Sequence, residues 1–156
     1  MKVVPERMCA EVEGEVVVFL IGMRINRPLK IHKWFPVLRA MPRMLRELES
    51  NKELGYLGGH FWLGRTIISL QYWRSVAHLM DYARNKNRQH LPAWTAFTRS
   101  AGNSGDVGIW HETYVITPGS CESIYHNMPP FGLGRVGNLV SAAGPFQHAR
   151  ERLQNR

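Results

Sequence analysis

Between Glu15 and Asn26 the chain alternates. Val17, Phe19, Ile21, Met23 and Ile25 form an unbroken apolar face, while the opposite face begins with Val16, Val18 and Leu20 and ends with Gly22, Arg24 and Asn26. A period of two is the mark of a β-strand with at least one buried side. Pro28 ends it. Ile31, Trp34, Phe35, Leu38, Met41, Leu45 and Leu48 then recur at helical spacing, with basic residues mostly on the other side, which describes an amphipathic helix. Pro36 and Pro42 fall inside this pattern, and each removes a backbone donor. The expectation is a short first turn and a main helix from Pro36 to Ser50.

The segments GYLGGHFWLG (55–64) and RTIISLQYWR (65–74) read as two strands joined by a tight turn near Gly64-Arg65. In the second, Ile68, Leu70 and Tyr72 share one face and Ile67, Ser69, Gln71 and Trp73 the other. Ser75 is placed to cap a helix through Leu79, Met80, Tyr82 and Ala83. His90-Leu91-Pro92 opens another helical piece, with Pro92 in its first turn. After Gly102–Gly105 comes a last strand, GIWHETYVI, from Gly108 to Ile116. The order β-α-β-β-α-β predicts an α+β fold, a ferredoxin-like sandwich with an antiparallel four-stranded sheet and helices on one face. The boundaries that follow are an arm at 1–13, the domain at 14–118, and an extension at 119–156. The extension is loop-like from Thr117 onward and expected to pack on a pocket or a partner, with a frayed tail or short charged helix at 147–156.

The last strand carries His111 and Glu112 side by side, so they must point to opposite faces. His111 goes with Ile109, Thr113 and Val115, and Glu112 with Trp110, Tyr114 and Ile116. Each face thus holds one titratable group among apolar or aromatic neighbours, where a charge needs a partner or a use. One of the two is expected in a cavity and the other at an interface.

Composition narrows the classes. A hydrophobic fraction of 44% with 21% charged residues fits a soluble globular chain. Cys9 and Cys121 make neither a disulfide framework nor a zinc motif, so no metal is expected and the setting reads as cytoplasmic. The longest apolar run, Val16 to Met23, is too short to cross a bilayer and follows acidic Glu11, Glu13 and Glu15, so no membrane partner is expected. The net charge is +8, and Arg24, Arg27, Lys30, Lys33, Arg39, Arg43 and Arg46 occur without an intervening acid. No nucleic-acid motif accompanies them, and the reading is a solvated helix face rather than a nucleic-acid partner.

The segments FLIGMRINRPLKIHKWFPVLRAMPRMLRELE, LGYLGGHFWLGRTIISLQYWRS, HLPAWTAFTR, GDVGIWHETYVI and YHNMPPFGLG, taken in order over roughly 14–136, resemble a family of small monooxygenase-like proteins of the dimeric α+β barrel superfamily, which includes antibiotic-biosynthesis monooxygenases. The resemblance implies a homodimer whose sheets form a barrel, with a cavity between sheet and helices in each subunit. It implies a monooxygenase acting on a small aromatic or polyketide-like, apolar substrate, with no cofactor favoured. Haem binding of a dehydratase- or peroxidase-like kind, or a non-catalytic small-ligand-binding dimer, are the alternatives. Cofactor-free oxygenation needs a base and a group that steadies a developing oxyanion within an apolar pocket. His111 is the candidate base, since imidazole ordinarily titrates near neutrality. Arg24 is the candidate oxyanion partner, and Glu112 the other candidate catalytic group, with a structural ion pair as its plainer role. Gln71, Trp73, Trp94, Trp110, Tyr114 and His60 are the candidate substrate-binding residues, although tryptophans in strands and helices are commonly core. If haem is bound, His111, His60 and His90 are the candidate axial ligands.

Overall fold

The computed structural model describes residues 2–100 and 102–154. Its main sheet has four antiparallel strands, β2 (Val16–Ile25), β3 (Tyr56–Trp62), β4 (Thr66–Trp73) and β5 (Val107–Ile116), in the spatial order β3-β4-β2-β5. Helix α1 (Ile31–Ser50) links β2 to β3, and helices α2 (Val76–Arg84) and α3 (His90–Ser100) link β4 to β5. Two crossovers that each step over a neighbouring strand give the ferredoxin-like α+β arrangement. The fold is the one the element order predicts.

One expectation about α1 is corrected. The helix is continuous from Ile31 and holds both Pro36 and Pro42 inside it. Each proline forfeits one ladder bond, but packing of the apolar stripe outweighs that loss: Trp34, Val37 and Leu38 lie against Met23, Ile67 and Val107, and Leu48 lies against Val17 and Trp73. The predicted cap of α2 is present. The Ser75 hydroxyl accepts from the His78 amide at 3.3 Å, satisfying a donor the helix start leaves unpaired.

The turn into α1 is pinned by a buried acid that the sequence pattern does not single out. Asp106, 2% exposed, receives both its carboxylate contacts from Lys30 Nζ at 3.0 Å, with Arg27 Nε at 3.4 Å. Its own carbonyl accepts from the amides of Asn26 and Arg27. The Lys30 hydrogen bond holds this carboxyl below the ordinary carboxylate range.

The other face of the sheet is partly covered by the chain itself. Strand β1 (Met8–Glu11) lies in the expected arm and pairs antiparallel with β6 (Asn138–Ser141) in the extension. Between them, Tyr125 and Met8 exchange backbone bonds at 2.8 Å, and Val4 donates to Met128. This small sheet and the one-turn helix α4 (Leu133–Val136) bring Ala10, Val12 and Leu133 onto Val16 and Tyr72. Loop-like composition therefore hides a strand whose partner lies more than a hundred residues away. The chain closes with α5 (Ala149–Gln154), where buried Arg152 pairs with Glu122 at 2.9 Å and donates to the Phe146 and Gln147 carbonyls.

Candidate active site

Pairing register decides which side chains meet. Ile21 of β2 lies opposite Ser69 of β4 and His111 of β5, and Phe19 lies opposite Gln71 and Thr113. These rows face the helices. Together with α1 and α3 they line a half-open cavity of about 410 Å³, walled by Met23, Val37, Phe61, Ile67 and Phe97 among others. A second lobe of about 320 Å³ adjoins it, sharing Ile21, Met41, Met44, His90, Trp94 and Ile109. Each lobe is in the size range of small-molecule sites.

The first lobe is mainly apolar, with Arg43, Gln89 and His90 among its lining residues. The second is lined by Gln71, Trp73, Tyr82, His90, His111 and Thr113 among apolar neighbours. Two of them, Trp73 and Gln71, form a chain along β4 with Ser69. Trp73 Nε1–H donates to Gln71 Oε1 at 3.1 Å, and Gln71 Nε2–H donates to Ser69 Oγ at 3.2 Å. These buried dipoles are satisfied by one another, which a dry wall requires. The Tyr82 hydroxyl donates to Glu47 Oε2 at 2.8 Å. Burial first, and then this bond to an acid, raise its pKa well above the ordinary phenol value, so it stays a protonated donor.

His90 opens α3 and lines both lobes. Its Nδ1 is 3.1 Å from the Ala83 carbonyl oxygen. A carbonyl only accepts, so Nδ1 carries a hydrogen in this contact. The sequence marks His90 only as a possible haem ligand. A histidine opening a helix beside Pro92 is visible in the chain, but its contact with Ala83 depends on how α2 and α3 meet.

His111 lies on the helix-facing side, its ring 5.7 Å from Phe19. Gln71, Trp73 and Trp94 also line the cavity. The structure does not bring the other candidates there. Glu112 lies opposite Leu20 on the far face and accepts from the Tyr114 hydroxyl at 2.6 Å, so Tyr114 faces away as well. Arg24 shares that far face and donates to Thr66 Oγ1 at 2.8 Å, which removes it as an oxyanion partner within the cavity. Trp110 packs over Gly22 on the same side. A Cβ at Gly22 would meet Trp110 Nε1 at 2.7 Å and collide with the Ile67 carbonyl. Gly22→Ala is therefore expected to destabilise by about 1–3 kcal/mol, read as a lower urea midpoint. An unchanged midpoint would show that the strand shifts to make room without cost.

His60 misses the cavity for a different reason. A β-bulge between Tyr56 and Gly58 shifts the alternation by one residue. Tyr56 therefore packs on Trp73, on the helix side, while His60 lies opposite Leu70 on the far side. There its Nε2 accepts from the Gly132 amide at 3.0 Å and its ring stacks on Phe131 at 3.9 Å. That bond also occupies the nitrogen a haem iron would need. Of the candidate axial ligands, only His90 and His111 line the cavity. Among the described residues, no cluster of three or more His, Cys, Asp or Glu side chains is arranged to hold a metal ion.

Burial, and secondarily the charge of Arg135, lower the His60 pKa below its ordinary 6.5. The folded chain thus binds this proton more weakly than the unfolded chain. Its contribution to stability is present above pH 6.5 and is lost as pH falls through the lowered folded value. Hydrogen exchange at Gly132 is expected to quicken on acidification over that window. His60→Gln keeps an acceptor for Gly132 and removes the titration, so its exchange should lack that acid-dependent component. Equal acid sensitivity in both proteins would exclude His60 as its origin.

Residues 16–133 match the family model described as Monooxygenase af470-like. Monooxygenase af470 of Aspergillus fumigatus is 29% identical over 159 aligned residues, which cover 85% of this chain. The chain spans 56% of that relative's length. Among solved structures, SnoaB, a cofactor-independent oxygenase from Streptomyces nogalater, aligns with a TM-score of 0.46 and 11% identity, covering 65% of this chain and 92% of its own. A conserved protein from Methanosarcina mazei Go1 aligns with the same TM-score at 9% identity, over 64% and 91% of the two chains. With a match running from the first strand of the main sheet to Leu133 at the start of α4, the chain belongs to the Monooxygenase af470-like family.

Proposed function

We propose that this protein is a monooxygenase that oxidises a small, largely apolar or aromatic substrate in the two-lobed cavity between sheet and helices, without a bound cofactor. The observation that carries this reading is His90. Its Nδ1 is held on the Ala83 carbonyl, and the residue lines both lobes. A base so oriented, in an apolar chamber, suits removal of a proton from an activated carbon.

The balanced step is as follows for an anthrone-type methylene. His90 Nε2 takes one proton, leaving a carbanion delocalised as an enolate. Dioxygen accepts the electrons and bonds to that carbon, and protonation gives a hydroperoxide. Loss of water from the hydroperoxide leaves a carbonyl. One oxygen atom ends in the product and the other in water, and the substrate supplies every electron. We assign His111 to hydrogen bonding of the developing oxyanion, a role in which one positioned donor commonly matters. Gln71, Trp73 and Trp94 form the substrate walls. The working unit is proposed to be a homodimer, with the uncovered part of the far sheet face, including exposed Tyr114, against a second copy.

Oxygen uptake and product formation with anthrone test this reading in the wild type, His90→Gln and His111→Ala proteins. The expected result is turnover by the wild type and a loss in each variant. Tight binding of anthrone with no oxygen uptake by the wild type would overturn the oxygenase reading in favour of a ligand-binding dimer.

A further inference from the structure

The end of the sheet where β2 exits and α1 begins carries exposed apolar side chains set among arginines. Leu29 is 96% exposed and Leu63, in the β3–β4 turn, is 72% exposed. Ile31 and Phe35 continue the patch along one side of the first turns of α1, and both are exposed. The two segments belong to the same end of the molecule. The Ile25 amide donates to the Arg65 carbonyl at 2.9 Å, and Arg65 Nε–H donates to the Ile25 carbonyl at 3.4 Å. So the β3–β4 turn is bonded directly to the strand from which the 26–30 loop departs.

The charge around this patch is one-sided. No acidic residue occurs from Arg24 through Arg46, or from Leu54 through Met80. The one acid contributed by the neighbouring start of β5 is Asp106, which is buried and already paired with Lys30 and Arg27. Arg27 and Arg65 are exposed beside the leucines, and Arg39 lies over the Phe35 ring at 5.8 Å. Exposed Arg27, Arg39 and Arg65 thus lie among leucine and phenylalanine side chains that gain nothing from water.

We propose that this end of the protein is a docking surface for an anionic lipid bilayer. Arginines at such a surface are attracted to anionic headgroups, and the protruding leucines enter the boundary between headgroups and acyl chains. A second copy of the chain is the poorer occupant, because a two-fold contact would set the same cations against each other. Nucleic acid matches the cations but leaves Leu29 and Leu63 without a purpose. This is a peripheral contact assembled from separate segments, and none of the described helices is long and apolar enough to cross a membrane. It does not depend on what the cavity does.

The test is cosedimentation of the full chain with phosphatidylcholine vesicles, with and without phosphatidylserine, at low and high salt. Binding is expected to the phosphatidylserine vesicles and to weaken with salt. Leu29→Ser with Leu63→Ser should lower the partition coefficient about tenfold or more, since the inserted apolar area is lost. Arg65→Glu should lower it by reversing a charge beside Leu63. Equal binding to both vesicle types, no binding to either, or unchanged partitioning of the leucine variant would each overturn the proposal, as would retention on duplex DNA without vesicle binding. Unchanged circular dichroism would confirm that the variants are folded, as substitutions at such exposed positions should be.

Discussion

His90→Gln is expected to slow oxygen consumption with an accepted substrate about 100- to 10,000-fold, the range typical for removing a general base. Glutamine keeps much of the size and polarity of imidazole and can still donate to the Ala83 carbonyl, as His90 Nδ1 does at 3.1 Å. What it lacks is a basic nitrogen on the cavity side. The loss should therefore fall in kcat and kcat/KM together, with anaerobic binding of substrate little changed. His111→Ala should cost less than His90→Gln, because it removes a donor rather than the proton acceptor. Wild-type rates in His90→Gln would remove His90 from the mechanism while leaving the oxygenase reading intact. Loss of activity in both variants together with loss of binding would instead show that both shape the cavity. Comparing turnover with binding separates those outcomes.

Trp73→Ala is expected to lower unfolding free energy by about 3–5 kcal/mol. Trp73 is 1% exposed and packs between Tyr56, Tyr82, Leu48 and Val17, where sheet and helices meet. Its removal has a second cost. Gln71 Oε1 loses the Trp73 Nε1–H that it accepts, and a buried acceptor left unpaired costs about 1–3 kcal/mol more unless water replaces the donor. A domain of this size typically has only about 5–15 kcal/mol in total, so the variant should unfold at a much lower urea concentration. Trp73→Phe restores most of the volume but not the donor, and should recover the larger part of the loss. If Trp73→Ala unfolds at the wild-type midpoint, the helix–sheet core does not rest on this residue.

The strands and helices were legible because each carries its own period. The apolar row from Val17 to Ile25 and the helical stripe from Trp34 to Leu48 can be read without knowing their partners. The prolines of α1 were read too strongly, since a local penalty was weighed without the packing that offsets it. Strand β1 left no such trace. Four residues that pair with Asn138–Ser141 have no repeating pattern long enough to detect, and their partner is remote in the chain.

The site was legible only in part. Alternation alone put His111 and Glu112 on opposite faces, because it is a property of a single strand. Placing Arg24 beside His111 required the pairing of β2 with β5, in which Ile21, not Arg24 or Gly22, shares the His111 face. His60 could face either solvent or pocket on sequence alone, and its face depends on a bulge that shifts the alternation of β3. The value of His90 rests on one carbonyl contact across the α2–α3 connection.

The amino-acid sequence by itself determined the order of the elements that build the main sheet, the ferredoxin-like class and the separation of His111 from Glu112, all of which follow from local periodicity and chain connectivity. Only the tertiary structure decided which face holds the cavity, that His90 lines it with Nδ1 on the Ala83 carbonyl, and that Leu29 and Leu63 share one end with the arginines. Those depend on register, on a bulge and on contacts between distant segments, and none of these leaves a period in the chain.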